Sequence, residues 1–509
     1  MHSPKQTTTH DVAQLHKLIA LQQNEIQLLR EQLRLLKHKL FGPKTDQIPE
    51  LMDQQLSMFD EPVAEPPAPE DEDQEIRGHK RKKPGRKPLP EDLPREHVYH
   101  DIDEAEKLCG CGEQLVQIGE ETSEQLDIVP AKAKVLVHHR IKWACRCCEG
   151  VETKGGTVKI APVPPQILPK SFATPGLLAH IFTAKFVDSL PFYRQEKQLA
   201  RMGIELKRAT MCNWAVQIAQ KCQKVTQLLL EKVKQGVYLQ IDETTVQVMK
   251  EPGRKNRTKS YMWLIRGGPP DPPIILFHYH PTRQSIVPQE LLKGYQGYVQ
   301  SDGYKGYDFL EKQEGVTLLA CMAHARRKFA DVWKASGKKT ADNLALEGLR
   351  FFKRLYASET RFRKEKLSFD EIKQAREKEA VPILDALHKW LKRYETEVLP
   401  DSLLGRAIGY ALKLWERLIR YIEEGYLNID NNPVENAIRP FVIGRRNWLF
   451  SGSPAGASAS ATLYSLVATA KANSWDPYMY LRFLFTGLMT ATTDEDFQGL
   501  LPTCEPRGL

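Results

Sequence analysis

Three acidic residues, Asp242, Asp302 and Glu435, carry the strongest chemical signal in this chain. The first two each close an alternating run, Val237-Tyr-Leu-Gln-Ile-Asp242 and Gly297-Tyr-Val-Gln-Ser-Asp302, a pattern that predicts a strand ending in a carboxylate. The third lies in the polar stretch Leu427-Asn-Ile-Asp-Asn-Asn-Pro-Val-Glu435-Asn-Ala-Ile-Arg439. Pro433 suits a first helical turn, and such a helix puts Glu435 and Arg439 on one face at i, i+4. Carboxylates brought together suit a hard cation such as Mg²⁺. Two such ions about 4 Å apart can activate the attacking oxygen and stabilise the leaving one in an in-line phosphodiester displacement. Glu243 and Asp430 compete for these places. On a strand, however, Glu243 points to the face opposite Asp242, and Asp430 is placed to cap the helix that follows it.

The elements that must position these acids follow from the runs between them. Ser260–Arg266, Pro273–Tyr279 and Val316–His324 read as further strands, with helical segments at about 283–293 and 307–313. Three strands, helix, strand, helix, strand is the order of the ribonuclease H-like fold. There the first and fourth strands are neighbours, so Asp242 and Asp302 should meet. Residues 331–425, mainly helical and rich in Lys, Arg and Glu, read as an insertion before the helix of Glu435. His324, Arg326, Arg327 and Lys328 follow the fifth strand, and Arg439, Arg445, Arg446 and Trp448 follow Glu435. They suit phosphate binding and stacking on an unpaired base, or ordinary ion pairing on a helix surface. His324 reads equally as a core or an active-site histidine.

Outside this region two cysteine knuckles stand out. Cys109-Gly-Cys111 lies 34 positions before Cys145-Arg-Cys147-Cys148, with the strand-like run Lys134–Ile141 between them. The arrangement resembles a zinc ribbon, in which tetrahedral Zn²⁺ takes four soft ligands from two tight turns. We expect Cys109, Cys111, Cys145 and Cys148 as structural zinc ligands. The first pair is CxC instead of CxxC, and Cys147 offers a third sulfur for two places. Residues 166–230 read as helices, with a turn at Met202-Gly203-Ile204 that fits a helix-turn-helix. Its second helix offers Lys207, Arg208, Thr210 and Asn213 for base edges or phosphates, against the plainer reading of a helical hairpin.

At the N-terminus Val12, Leu15, Ile19, Gln22, Ile26, Leu29, Leu33, Leu36 and Leu40 step by threes and fours, a heptad repeat with one polar break. It predicts a self-associating coiled coil; the alternative is a helix folding back on a later domain. An acidic stretch and then a basic one make a linker that can bury no core. The expected layout is coiled coil 1–47, linker 48–96, zinc ribbon 97–165, helix-turn-helix region 166–230, first part of the core 231–330, insertion 331–425, last core helices 426–490 and tail 491–509. At 509 residues, 41% apolar and 27% charged, the chain is neither disordered nor membrane-embedded, and we expect it soluble and cytoplasmic. Lys and Arg number 73 against 64 Asp and Glu, a net +9 that favours a polyanionic partner.

Several longer motifs occur together: Lys39-Leu-Phe-Gly, Lys83-Pro-Gly-Arg-Lys-Pro-Leu-Pro, the knuckles, Leu190-Pro-Phe-Tyr-Arg-Gln-Glu and Asp302-Gly-Tyr-Lys-Gly-Tyr. Ala323-His-Ala-Arg-Arg-Lys-Phe, Asp430-Asn-Asn-Pro-Val-Glu435 and Gly444-Arg-Arg-Asn-Trp-Leu-Phe-Ser-Gly-Ser complete the set. In these the chain resembles the DDE transposases of bacterial insertion-sequence family 66, the large TnpC-type subunit. The resemblance implies a multidomain α+β protein: a ribonuclease H-like α/β core with a helical insertion, preceded by coiled coil, zinc ribbon and helix-turn-helix. It implies that Asp242, Asp302 and Glu435 hold two Mg²⁺ or Mn²⁺ ions, with Asp302 bridging both. It further implies binding and cutting of double-stranded DNA at the element's inverted repeats, joining to a target, small accessory proteins from the same element and a place in the nucleoid. A non-catalytic DNA-binding regulator and a structure-specific nuclease are the alternatives. The first would bind DNA without metal-dependent cleavage, and the second would cut branched junctions while ignoring terminal repeats.

Overall fold

The computed structural model describes residues 8–41, 95, 97, 133–144, 158–336 and 343–504. All five knuckle cysteines and, apart from Arg95, the 48–96 linker lie outside the described residues. The chain divides into two compact units, Met1–Leu56 with Pro164–Leu509, and Ser57–Val163.

Helix α1 (Thr8–Phe41) covers the predicted heptads. In the second unit, β1 (Lys142–Ala144) pairs antiparallel with β2 (Val158–Ile160). The strand expected at Lys134–Ile141 is instead an exposed run without regular structure; alternation alone makes no strand where no ladder partner lies alongside among the described residues.

The first unit continues with α2 (Pro175–Phe186), α3 (Phe192–Arg201), α4 (Arg208–Lys221) and α5 (Gln223–Gln235). Thr174 caps α2 by accepting from the Leu177 N–H, with Pro175 in the first turn. Between α3 and α4 the chain turns at Gly203, whose φ of +77° needs a residue without Cβ. The predicted helix-turn-helix is therefore present as a helix pair. Met211, Trp214, Ala215 and Ile218 of α4 enter the main core, while Lys207, Arg208 and Asn213 stay exposed and Thr210 is half-buried.

The central sheet is β3 (Tyr238–Gln247), β4 (Lys259–Gly267), β5 (Ile274–His280), β6 (Gly297–Ser301) and β7 (Val316–Ala320), with α6 (Ile286–Leu291) before β6. Its order is β5-β4-β3-β6-β7. The first three strands are antiparallel, and β3, β6 and β7 run parallel. Two expected boundaries change. Asp242 lies mid-strand, because the antiparallel ladder with β4 continues to Gln247↔Lys259. The last strand stops at Ala320, where its partner β6 ends, and His324 sits in the first turn of α7 (Met322–Ala335).

The 331–425 region forms α8 (Leu344–Glu365), α9 (Phe369–Glu397), α10 (Leu403–Lys413) and α11 (Trp415–Ile419). With α7 they enclose a second core around Phe329, Phe352, Trp390 and Leu391. Within it Arg376, 2% exposed, pairs through two bonds of 2.8 Å with Glu359. The same guanidinium donates to the carbonyls of Tyr421, Glu424 and Leu427. This clamp shapes the chain that leads to α12 (Asn432–Trp448).

Three helices close the fold: α13 (Pro454–Ala472), α14 (Pro477–Gly487) and α15 (Asp494–Gly499). Helix α13 covers the sheet edge. Thr469 Oγ1 accepts from Ile275 N and donates to Ile275 O, both at 3.0 Å, and Ser465 Oγ accepts from Phe277 N at 2.8 Å. These hydroxyls satisfy backbone groups that an edge strand otherwise leaves open. The Ala/Ser-rich sequence of α13 allows that close approach.

Helix α1 rests against α7 and α10. Its half-buried stripe is Leu28, Glu31, Gln32, Leu35 and His38, while the heptad residues Ile26, Leu29, Leu33, Leu36 and Leu40 remain exposed. Among the described residues, no helix is long and apolar enough to cross a membrane.

Candidate active site

A near-repeat in the sequence lays out the site. Tyr238-Leu-Gln240-Ile-Asp242 and Tyr298-Val-Gln300-Ser-Asp302 are aligned by the parallel ladder, Tyr238 opposite Tyr298 and Gln240 opposite Gln300. Asp242 and Asp302 each lie two residues past that last pair, on the face that the glutamines share. The glutamines are fully buried, and they are the positioning groups that our reading of the sequence missed. Gln240 Nε2 donates to Gln300 Oε1 at 2.9 Å and to the Asp430 carbonyl at 3.1 Å. Gln300 Nε2 donates to the Asn428 carbonyl at 2.8 Å, and the Tyr238 hydroxyl donates to Gln300 Oε1 at 2.5 Å. The repeated Tyr-x-Gln-x-Asp pattern was the available signal.

Through these amides the 428–432 segment is stitched across the strands. Asn431 adds two more bonds, Nδ2 to the Ile241 carbonyl at 3.0 Å and N to Cys321 Sγ at 3.2 Å. Asp430, nearly buried, accepts from Asn432 N, Asn432 Nδ2 and the Tyr356 hydroxyl, so it shapes the entry to α12. Glu435 follows in the first turn of α12, which lies over β3 and β4.

The acids act on one another electrostatically. Burial first, and then the charges of Glu243, Glu435 and Asp302, push the Asp242 carboxyl up to about 8. Burial also raises Glu435, against the lowering effect of Arg327. Glu435 Oε1 is buried without a hydrogen-bond partner and faces His324 Nδ1, equally unpartnered, at 3.7 Å. Burial and Arg327 hold His324 below its usual value, which favours the neutral ring in this contact with the carboxyl. Arg327 reaches both groups, His324 Nε2 at 3.4 Å and Glu435 Oε2 at 4.0 Å. Cys321, His324 and Glu435 each present a donor atom within 4.8 Å of the other two.

Asp302 accepts from Tyr304 N at 2.8 Å, and Tyr410 OH donates to its carbonyl at 3.0 Å. Gly303, at φ +84°, has Leu414 2.8 Å from where a Cβ would stand, so only glycine fits this bend. Glu243, the competitor, is engaged elsewhere: Arg283 and the Tyr307 hydroxyl both donate to its carboxylate. The Arg283 guanidinium lies 3.8 Å from the Tyr304 ring centre.

The surrounding cations divide into two groups. Arg327 and Arg439 act on Glu435, Lys328 lies over the Tyr410 ring, Arg326 is half-buried and Arg446 is exposed. Arg445 instead turns inward, donating to Thr244 Oγ1 and the Thr245 carbonyl. Trp448 is likewise half-buried, edge-on to Phe441 with Lys185 above it, which differs from the open stacking ring we expected. Its helix lies over the sheet, and burial of that large ring outweighs exposure.

Comparison with known proteins identifies the neighbours of this architecture. A family model described as "Transposase IS66 family" matches residues 170–459. The "zinc-finger binding domain of transposase IS66" matches 106–149, "Transposase C of IS166 homeodomain" 28–98 and "IS66 C-terminal element" 465–503. The chain is 32% identical over 427 residues to "Uncharacterized protein y4jD" of Sinorhizobium fredii (strain NBRC 101917 / NGR234), covering 81% of each. It is 30% identical over 479 residues to "Uncharacterized protein y4hP" of the same strain, covering 89% of this chain and 84% of that one. No solved structure matches it.

Proposed function

The chain belongs to the IS66 transposase family, and from that premise we propose that it is a DDE transposase that cuts and joins DNA at the ends of its element. The observation that carries this reading is the shared register of Asp242 and Asp302, with the charges of Asp302 and Glu435 both acting on the buried Asp242 carboxyl. The strand order β5-β4-β3-β6-β7, antiparallel then parallel, supports a ribonuclease H-like core.

The residues fit a divalent cation. Asp242 is raised to about 8 by burial and its acidic neighbours, and Glu435 Oε1 is buried without a partner; a cation would relieve both. Asp242, Asp302 and Glu435 would hold it, in the form of two Mg²⁺ or Mn²⁺ ions. Bound there, the ions supply charge for the attacking and leaving oxygens of a phosphodiester. In the first reaction water attacks phosphorus, the P–O3′ bond breaks, and the strand leaves with a free 3′-hydroxyl. That hydroxyl then attacks a target phosphodiester and displaces its 3′-oxygen. The chain's own contribution is placement: Gln240, Gln300 and Asn431 hold the acids in register, and Arg327 and Arg439 offer positive charge to the scissile phosphate.

Residues 106–149 match the family's zinc-finger model, for which we infer Cys109, Cys111, Cys145 and Cys148 as ligands. Lys207, just before α4, and Arg208, Thr210 and Asn213 on it, with Arg326, Lys328 and Arg446, would meet the duplex. The open heptad face of α1 would pair two copies, each holding one end, with accessory proteins joining them in the nucleoid. The test is nicking of a duplex that carries the inverted repeats flanking the reading frame. We expect cleavage with Mg²⁺ or Mn²⁺ that is lost in Asp302→Asn. Cleavage unchanged in that variant rules the site out, and cleavage of branched junctions alone favours the nuclease reading.

A further inference from the structure

The turn between β3 and β4, Lys250–Lys259, carries five cations and one acid. That acid, Glu251, is 6% exposed and accepts from Arg254 at 2.7 Å, Ser260 at 2.6 Å and the Tyr279 hydroxyl. Lys250, Lys255, Arg257 and Lys259 are therefore exposed with no acid on the turn left to neutralise them, and none forms an ion pair among the described residues. Beside them runs the connection from α12 to α13. Met249 N donates to the Ser451 carbonyl and Ser451 N to the Gln247 carbonyl, both at 2.9 Å, which ties 449–451 to the base of the turn. Here Leu449 is 65% exposed at φ +67°, and Phe450 is 46% exposed. A branched residue held at positive φ with its side chain in solvent is a strained arrangement that packing does not require.

We propose that this turn and the Leu449–Phe450 step form a second DNA-contact surface. The four cations grip backbone phosphates, and the apolar pair enters the base stack where the duplex is opened. The inference rests on the transposase reading above and deepens it. Charge selects the partner, because an apolar pair rimmed by four unpaired cations suits a polyanion with stacked rings. Phe450 provides the ring that Trp448, packed against Phe441, does not. Six residues of strand separate Asp242 from Val248, roughly 20 Å at about 3.3 Å per residue. That is about six base pairs at roughly 3.4 Å per step, so one duplex can reach both places.

The experiment uses the full chain with two fluorescein-labelled duplexes of random sequence, one intact and one nicked with 2-aminopurine at the nick. We expect Lys255→Ala/Arg257→Ala/Lys259→Ala to lower the slope of log affinity against log salt by about 3, near 0.9 for each lost phosphate contact. Phe450→Ala should weaken binding of the nicked duplex about 10-fold and abolish the 2-aminopurine signal, while intact duplex binds as before. Phe450→Trp should restore both. Melting curves matching wild type establish that these surface variants are folded. Unchanged slope and signal, with Arg208→Ala/Asn213→Ala still lowering the slope, would overturn the surface while leaving the transposase reading intact. An altered oligomeric state with unchanged DNA binding would assign the patch to a second copy and overturn it equally. Wild-type protein without salt-dependent DNA binding would sink both.

Discussion

Replacing Asp242 with asparagine isolates the electrostatic cost of assembling the acids. The folded chain raises this carboxyl to about 8, while an unfolded aspartate ionises near 3.9. Between those values the folded state keeps a proton that the unfolded state has lost. Stability must therefore fall as pH rises through the window, with the loss complete above about 8. At about 1.4 kcal/mol per pH unit, going from pH 5 to 7.5 costs about 3 kcal/mol, and the whole window on the order of 5 kcal/mol. The asparagine side chain has nearly the same shape and no proton to lose, so Asp242→Asn should stay level where wild type declines. Hydrogen exchange of the β3–β4 peptides, followed from pH 5 to 8 and corrected for intrinsic exchange, reads this locally. Added Mn²⁺ or Mg²⁺ should protect wild type most at the alkaline end, where the carboxylate is free, and should protect the variant little. Parallel pH profiles for the two proteins, or equal protection by the cation, would refute the reasoning.

Arg376→Met should destabilise the first unit by about 3–5 kcal/mol, because it strands the Glu359 charge and frees three carbonyls; adding Glu359→Gln should recover part of that in thermal melts. Thr469→Val, of similar shape, removes both hydrogen bonds to Ile275, and we expect a loss of about 1–3 kcal/mol by denaturant titration with faster exchange along β5. Glu243→Gln should lower the melting temperature by weakening the Arg283 pair yet keep cation-dependent protection, which separates this acid from Asp242; equal loss of protection would make Glu243 a ligand. Metal analysis should find zinc retained in Cys147→Ser and lost in Cys148→Ser, and the reverse result would exchange their roles.

Much of this protein was legible from one dimension. Heptad spacing marked α1, a glycine turn marked the α3–α4 pair, and alternation located all five strands of the sheet. Such signals are local, since period and capping depend on neighbours along the chain. The three acids we propose as cation ligands were also singled out in the sequence, two from expected strand ends and one from a polar motif just after Pro433. What the sequence could not show was which groups share a neighbourhood. Asp242 proved to lie mid-strand because β4 pairs beyond it, and His324 joined a helix because β6 had run out. Glu243, adjacent to Asp242, is claimed by Arg283 and Tyr307 from forty and sixty-four positions away. Trp448 turned inward, leaving Phe450 in solvent. Residue types and periods are written in the chain, but burial, partner and charge environment arise only when distant segments are packed together, so tertiary structure alone decided which carboxylates are buried beside one another.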